Sequence, residues 1–255
     1  MELIEAMAQV ARGCGALMTE ADQKRIAVRE KSSFRDLVTE YDVRIQNYAV
    51  EELRRRYPEA GFICEEADSA VQGKGGLTFV IDPIDGTANF VHHFRHSCTS
   101  IACISEGRPV AAAIYNPFSD ELFTATANGG AYLNGREIRI SEGRLSESLV
   151  LFGTSPYRPE LTEETLARIR SLYGRCLDLR RSGSAALDLC YVAAGRAGLY
   201  FELSLSLWDY AAGALIVKEA GGVCTQLDGT APVFDRPAKC SCIAGPRALV
   251  EAERN

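Results

Sequence analysis

The run Leu77-Thr78-Phe79-Val80-Ile81 leads directly into Asp82-Pro83-Ile84-Asp85-Gly86-Thr87. This junction constrains the fold more than any other stretch. Five apolar and β-branched residues predict a strand that ends at Asp82. The chain then turns, and a short helix is expected from about Asp85 to His92. Two carboxylates would project from the end of a strand, where chemistry commonly sits in α/β sheets. Pro83 removes a backbone donor and stiffens the turn. Gly86 lets a ligand approach the main chain. The amides of Gly86 and Thr87 would point out of a helix N-terminus, which suits an anion. Carboxylates beside an anion repel it unless a cation lies between them, and Mg²⁺ accepts both kinds of oxygen. The plainer alternative makes Asp85 an N-cap and Asp82 a polar loop residue. A covalent phosphatase pattern, Asp-x-Asp-x-Thr, does not fit, because these carboxylates are three residues apart.

Around this unit the pattern changes twice. Helical periodicity marks 1–19 and 39–56. Short strands are expected at 97–104, 109–115, 121–125, 131–133 and 137–139. Asn134-Gly135 between the last two is a hairpin signal. From about residue 146, strands at 149–152, 176–179, 199–203, 222–227 and 240–244 alternate with helices at 161–173, 184–194 and 208–220. We therefore expect an α/β (α+β) fold with an α+β lobe over 1–145 and an α/β lobe over 146–255.

The chain has 255 residues with net charge −6, enough to bury a substantial core and too acidic to favour nucleic acid. Nine cysteines match no zinc spacing and sit among apolar neighbours, so they read as core thiols of a reducing, cytoplasmic setting. Cys240-Ser241-Cys242 would point both thiols to one side of a strand. Acidic Glu2 and Glu5 and the lack of a long apolar run speak against a signal peptide, and no run reaches the ~18 apolar residues of a membrane span. His92, His93 and His96 cluster, but a histidine metal site is not expected beside an all-oxygen one.

Other carboxylates are ambiguous one at a time. Glu65-Glu66 could be a solvated face. Thr39 and Asp42 have capping-box spacing. Asp209 could complement a helix dipole. Taken in order, Asp36-x-Val38-Thr39-x-x-Asp42, Glu65-Glu66, Asp82-Pro83-Ile84-Asp85-Gly86-Thr87 and Trp208-Asp209-x-Ala211-x-Gly213 resemble the inositol monophosphatase family. The likeness runs from Lys31 to the closing strands.

That resemblance implies a layered α/β/α/β/α sandwich, as in inositol monophosphatase and fructose-1,6-bisphosphatase, usually a homodimer. It implies a Mg²⁺-dependent, lithium-sensitive phosphomonoesterase using two or three ions. Glu65, Asp82, Asp85, Asp209 and the Ile84 carbonyl would be ligands. Glu65 and Thr87 would orient an attacking water, with Asp42 supporting Thr87, and the Gly86 and Thr87 amides would hold phosphate. Asp85, Asp209, Gly183-Ser184-Ala185 and Glu202 would meet the substrate, and Lys31 would lie near the metals. A carboxylate at Glu202 can accept ring hydroxyls. Inositol 1-phosphate is the expected substrate. Fructose 1,6-bisphosphate, adenosine 3′,5′-bisphosphate and histidinol phosphate are alternatives, as is a regulatory binding protein that keeps the fold, since some bacterial members contact transcription machinery. Cys64 stands where members commonly have Gly, and Phe34 where some have Pro.

Overall fold

A computed structural model describes residues 2–22, 28–30, 37–66 and 73–254. Lys31, Phe34 and Asp36 lie outside the described residues. The elements follow in chain order as α1 (Leu3–Asp22), β1 (Val28–Glu30), β2 (Leu37–Thr39), α2 (Glu40–Arg56), β3 (Gly61–Cys64), β4 (Leu77–Asp85) and α3 (Thr87–Val91). Then come β5 (Cys98–Ser105), β6 (Arg108–Asn116), β7 (Glu121–Thr126), β8 (Ala131–Leu133) and β9 (Arg136–Glu137). The remainder is β10 (Leu149–Phe152), α4 (Thr162–Tyr173), β11 (Asp178–Arg180), α5 (Ala185–Ala193), β12 (Leu199–Ser206), α6 (Leu207–Glu219), β13 (Val223–Thr225), β14 (Lys239–Gly245) and α7 (Arg247–Glu253).

Strands β3 to β9 form a sheet in sequence order, and a second sheet runs β11-β10-β12-β14-β13. Side chains of the first sheet alternate between two cores. Phe79, Ile81, Ile101, Cys103, Ala111 and Ala113 meet α1 and α2. Val80, Ala102, Ile104, Ala112 and Ile114 face α5 and α6. Burial on both faces explains the nearly unbroken apolar strands. The second sheet repeats the arrangement. Tyr200, Cys240, Cys242 and Ala244 face α5 and α6, while Leu199, Phe201 and Ile243 face Leu172 of α4 and Val250 of α7. The layers are thus α/β/α/β/α. Helix α6 lies between the sheets and is apolar around its circumference, as a helix buried on all sides must be. Gly213 lets it approach α5, since a Cβ there would sit 2.5 Å from Leu189.

The Asn134-Gly135 hairpin forms, with both residues at positive φ and Leu133 opposite Arg136. All nine cysteines are free thiols. Among the described residues no helix is long and apolar enough to cross a membrane. Periodicity missed β1, β2, β3 and α7, which are too short for a pattern to declare itself. It also placed the strand at 176–179 two residues early.

The expected turn after Asp82 is a larger departure. Strand β4 continues to Asp85, with a bulge against β5: Asp82 pairs with Ser100 and Asp85 with Cys98. Pro83 sits inside the bulge, where a missing N–H costs no ladder bond. Helix α3 starts only at Thr87 and has five residues.

Helix α2 opens with a complete capping box. Asp42 Oδ2 accepts from the Thr39 amide at 2.7 Å and its hydroxyl at 2.6 Å. Replacing Asp42 with alanine is expected to remove about 2 kcal/mol of stability in urea unfolding. A loss under about 0.5 kcal/mol would show that this cap does not hold the helix.

Candidate active site

The parallel register of β3 and β4 pairs Cys64 with Ile81, so the next residues, Glu65 just past β3 and Asp82 within β4, stand side by side. The Glu65 amide donates to Ile81 O at 3.2 Å, and the Glu66 amide donates to the Gln46 side chain at 2.8 Å. The β4 bulge then brings Asp85 to the same end of the sheet. The second sheet supplies the fourth acid. Strand β12 runs straight into α6, and Asp209 is the third residue of that helix, its Oδ2 accepting from the Ser206 amide at 2.7 Å.

These carboxylates line one cavity of about 690 Å³. Asp82 is 2% exposed and Asp85 8%. Burial drives the Asp82 carboxyl far above its ordinary range, and Glu65, Asp85 and Asp209 add repulsion. Burial likewise raises Asp209, with Asp85 and Glu65 contributing. Asp85 is pushed up to about 6 by burial, moderated by the Ser184 hydroxyl and the Ala186 amide. Charge of one sign has been collected in a desolvated place.

Several oxygens there remain available. Asp82 Oδ1 is buried without a hydrogen-bond partner. Asp85 takes hydrogen bonds on Oδ2 from Ser184 Oγ and from the Ala186 amide at 2.8 Å. The Thr87 hydroxyl lies 3.1 Å from Ile84 O and 3.4 Å from Asp42 Oδ1, but it has one proton to give. Donation to Asp42 releases the Ile84 carbonyl. An all-oxygen donor set with an orphaned buried carboxylate oxygen suits a hard divalent cation. Among the described residues no three acidic, histidine or cysteine side chains already enclose a common metal position.

The sequence-derived residues Glu65, Asp82, Ile84, Asp85, Gly86, Thr87, Gly183, Ser184, Ala185, Glu202 and Asp209 all border this cavity. Asp42 lies behind Thr87, fully buried, and desolvation raises its carboxyl to about 7 against the opposing Thr39 bonds. Gly86 has φ +88°, and a Cβ there would approach His96 O at 3.1 Å and Gly183 O at 3.2 Å, so glycine is required twice over. Two details differ from expectation. The helix behind Gly86 and Thr87 is one turn long, so its dipole adds little to their amides. Ser184 and Ala186 support Asp85, and they do so as the N-terminus of α5. Cys64 is buried and its thiol is pushed up to about 12 by desolvation, which leaves it unreactive beside Glu65.

Spacing gave no sign of Gly153, Ser155 or Asp188 as cavity residues. Asp188 is 2% exposed with Oδ1 unpartnered, and burial raises its carboxyl. An acid in the apolar run Ala185-Ala186-Leu187-Asp188-Leu189 was the available signal.

The sequence profile described as the inositol monophosphatase family matches residues 1–254. A Nus factor SuhB from Xylella fastidiosa is 40% identical over 248 residues, covering 95% of this chain and 89% of that protein. Inositol monophosphatase 2 of Solanum lycopersicum is 39% identical, covering 93% and 91%. The crystal structure of the extragenic suppressor protein SuhB from Bartonella henselae superposes with a TM-score of 0.92 at 35% identity, covering 99% and 96%.

Proposed function

Because this chain belongs to the inositol monophosphatase family, we propose that it is a Mg²⁺-dependent phosphomonoesterase acting on the monophosphate of a polyhydroxylated compound, with inositol 1-phosphate as first candidate. The observation that carries this reading is the mutually repelling set Glu65, Asp82, Asp85 and Asp209, of which Asp82 and Asp85 are buried, with Asp82 Oδ1 left without a partner.

Asp82, Asp85, Asp209, Glu65 and the Ile84 carbonyl would hold two or three Mg²⁺ ions. When bound, these ions would polarise the phosphoryl group and acidify an attacking water. The protein's own groups then have separate tasks. Thr87, donating to Asp42, turns its oxygen lone pairs toward the cavity and accepts from that water. Glu65 accepts a hydrogen bond from its second O–H and fixes the line of attack. The Gly86 and Thr87 amides meet phosphate oxygens. Glu202 accepts a hydroxyl of the leaving alcohol at the opposite wall. The water would attack in line, with no covalent enzyme intermediate.

The names of the SuhB relatives attach a regulatory role to those proteins and favour a second reading, a partner-binding role alongside catalysis. With net charge −6 we assign such a role to protein contact before nucleic acid. We place the chain in the cytoplasm as a homodimer, on its nine free thiols and on family resemblance.

The test is phosphate release from inositol 1-phosphate, fructose 1,6-bisphosphate, adenosine 3′,5′-bisphosphate and histidinol phosphate, with and without Mg²⁺ and Li⁺. Preferred, Mg²⁺-dependent and Li⁺-sensitive turnover of inositol 1-phosphate is the expected result. Preference for a bisphosphate would overturn the substrate class, and no Mg²⁺-dependent release would leave the partner-binding role alone.

A further inference from the structure

Glu202 is 7% exposed on β12, and its carboxylate is held from three sides. Ser155 donates to Oε1 from its amide at 2.7 Å, and its hydroxyl, with one proton to give, lies 3.2 Å from Oε1 and 3.1 Å from Ser204 O. The Tyr200 hydroxyl donates to Oε2 at 2.8 Å. The third boundary is bare main chain. Phe152 of β10 pairs with Phe201 of β12, which brings Gly153 beside Glu202. A Cβ at Gly153 would stand 1.8 Å from Oε2, 2.0 Å from Cδ and 2.5 Å from Oε1.

A long acid side chain ordinarily swings away from a new methyl group. Here it would break hydrogen bonds to a buried acceptor-only group, which is costly. Neither partner can yield cheaply. A carboxylate offers about four acceptor sites. The Ser155 amide takes one on Oε1 and the Tyr200 hydroxyl one on Oε2, so acceptor capacity remains for a ligand.

We propose that Gly153, with Ser155 and Tyr200, forms a specificity clamp: the absent side chain opens the slot that Glu202 fills, and the fixed donors aim a remaining lone pair at a substrate hydroxyl. Gly153 is a positioning residue that acts through Glu202. The clamp selects a leaving group that can donate a hydrogen bond. A second phosphate cannot donate at neutral pH, and it would also meet the neighbouring buried Asp188. This inference rests on the polyol phosphate reading above.

The test compares full-length wild type and Gly153→Ala, with Mg²⁺, on inositol 1-phosphate and on p-nitrophenyl phosphate, whose leaving group carries no hydroxyl beside the ester. The preference for inositol 1-phosphate, as a ratio of kcat/KM values, is expected to fall at least about tenfold, with KM rising more than kcat falls. Tyr200→Phe should move the preference the same way by a smaller factor. Glu202→Asp, one methylene shorter, should recover part of it in the Gly153→Ala background. A second readout needs no turnover. Gly153→Ala should lower Tm by about 3–6 °C when Glu202 is present and by about 1 °C or less in a Glu202→Ala background. Equal losses on both esters, or no change in preference, overturn the clamp. Wild type that hydrolyses neither ester overturns the phosphatase reading instead. The melting cycle then decides the clamp by itself, and absence of coupling between 153 and 202 overturns it.

Discussion

Asparagine at position 85 is expected to lower Mg²⁺-dependent phosphate release by about 10³-fold while the protein stays folded. The substitution keeps shape and one acceptor oxygen. The fixed donors Ser184 Oγ and the Ala186 amide at 2.8 Å both point at Oδ2, so the asparagine oxygen must take that place. The amide nitrogen is then forced into the Oδ1 position, facing the cavity. A donor dipole stands where a cation would need an anionic oxygen. Two further effects separate this result from simple unfolding. Asp85 is buried with its carboxyl raised to about 6, so removing its charge relieves repulsion with Asp82 and Asp209, and the metal-free variant should melt no lower than wild type. The Mg²⁺ concentration needed for half-maximal activity should rise as well. Single-turnover assays over a Mg²⁺ titration, with melting curves in EDTA, check both points. Retention of more than about a tenth of wild-type activity would remove Asp85 from the metal set. A partner-binding role, by contrast, should survive this substitution.

How far the sequence discloses this site depends on what local pattern can encode. Asp82, Asp85 and the Asn134-Gly135 turn are legible because their spacing and residue types act within a few positions. The buried faces of β4, β5 and β6 are legible as apolar runs. The bulge that carries β4 on to Asp85 is not, since it arises from pairing with β5 and from Thr99, whose hydroxyl donates to Pro83 O at 2.8 Å. The meeting of Glu65 with Asp82 needs the parallel register of two strands separated by a long connection. Gly153 is the extreme case. Nothing within its own neighbourhood demands glycine, and its φ is not positive. The requirement comes from a carboxylate 49 positions along the chain, visible only once β10 and β12 are aligned. Cys64 shows the reverse. Its place before Glu65 suggests redox sensitivity, yet burial makes it one more apolar side chain.

The stability of the metal-free protein is expected to fall between pH 6.5 and 7.5, and Mg²⁺ is expected to abolish that fall. The folded carboxyls of Asp82 and Asp209 are raised well above their ordinary range, and Asp42 to about 7, in each case chiefly by burial. Unfolded aspartates lose their protons near pH 4. In this window native Asp42 therefore still holds protons that the unfolded chain has released, and Asp82 and Asp209 are shifted in the same direction, so stability declines as pH rises. Each fully protonated group contributes a slope of about 1.4 kcal/mol per pH unit. Other titrations are limited by the choice of window. Exposed paired acids such as Asp120 and Asp178 are lowered by their partners and act only near and below pH 4. Half-buried His96, lowered by desolvation, has the opposite sign, and its opposing slope fades across the window, because the unfolded imidazole has its midpoint at about 6.5. Thiols of the unfolded chain, with midpoints near pH 8.5, begin to ionise toward the top of the window and act with the same sign as the carboxyls, since the buried native thiols are raised. A drop in Tm of about 3 °C or more per pH unit is expected in EDTA. Bound Mg²⁺ favours the ionised carboxylates, so its stabilisation should grow across the same window, to about 2.7 kcal/mol at a hundredfold excess over Kd. Near pH 5 protons compete for the same oxygens, and the curves with and without Mg²⁺ should converge. A metal-free Tm that rises from pH 6.5 to 7.5, or one that Mg²⁺ leaves unmoved at pH 7.5, would mean that these acids are neutralised within the protein and are not held apart for a cation.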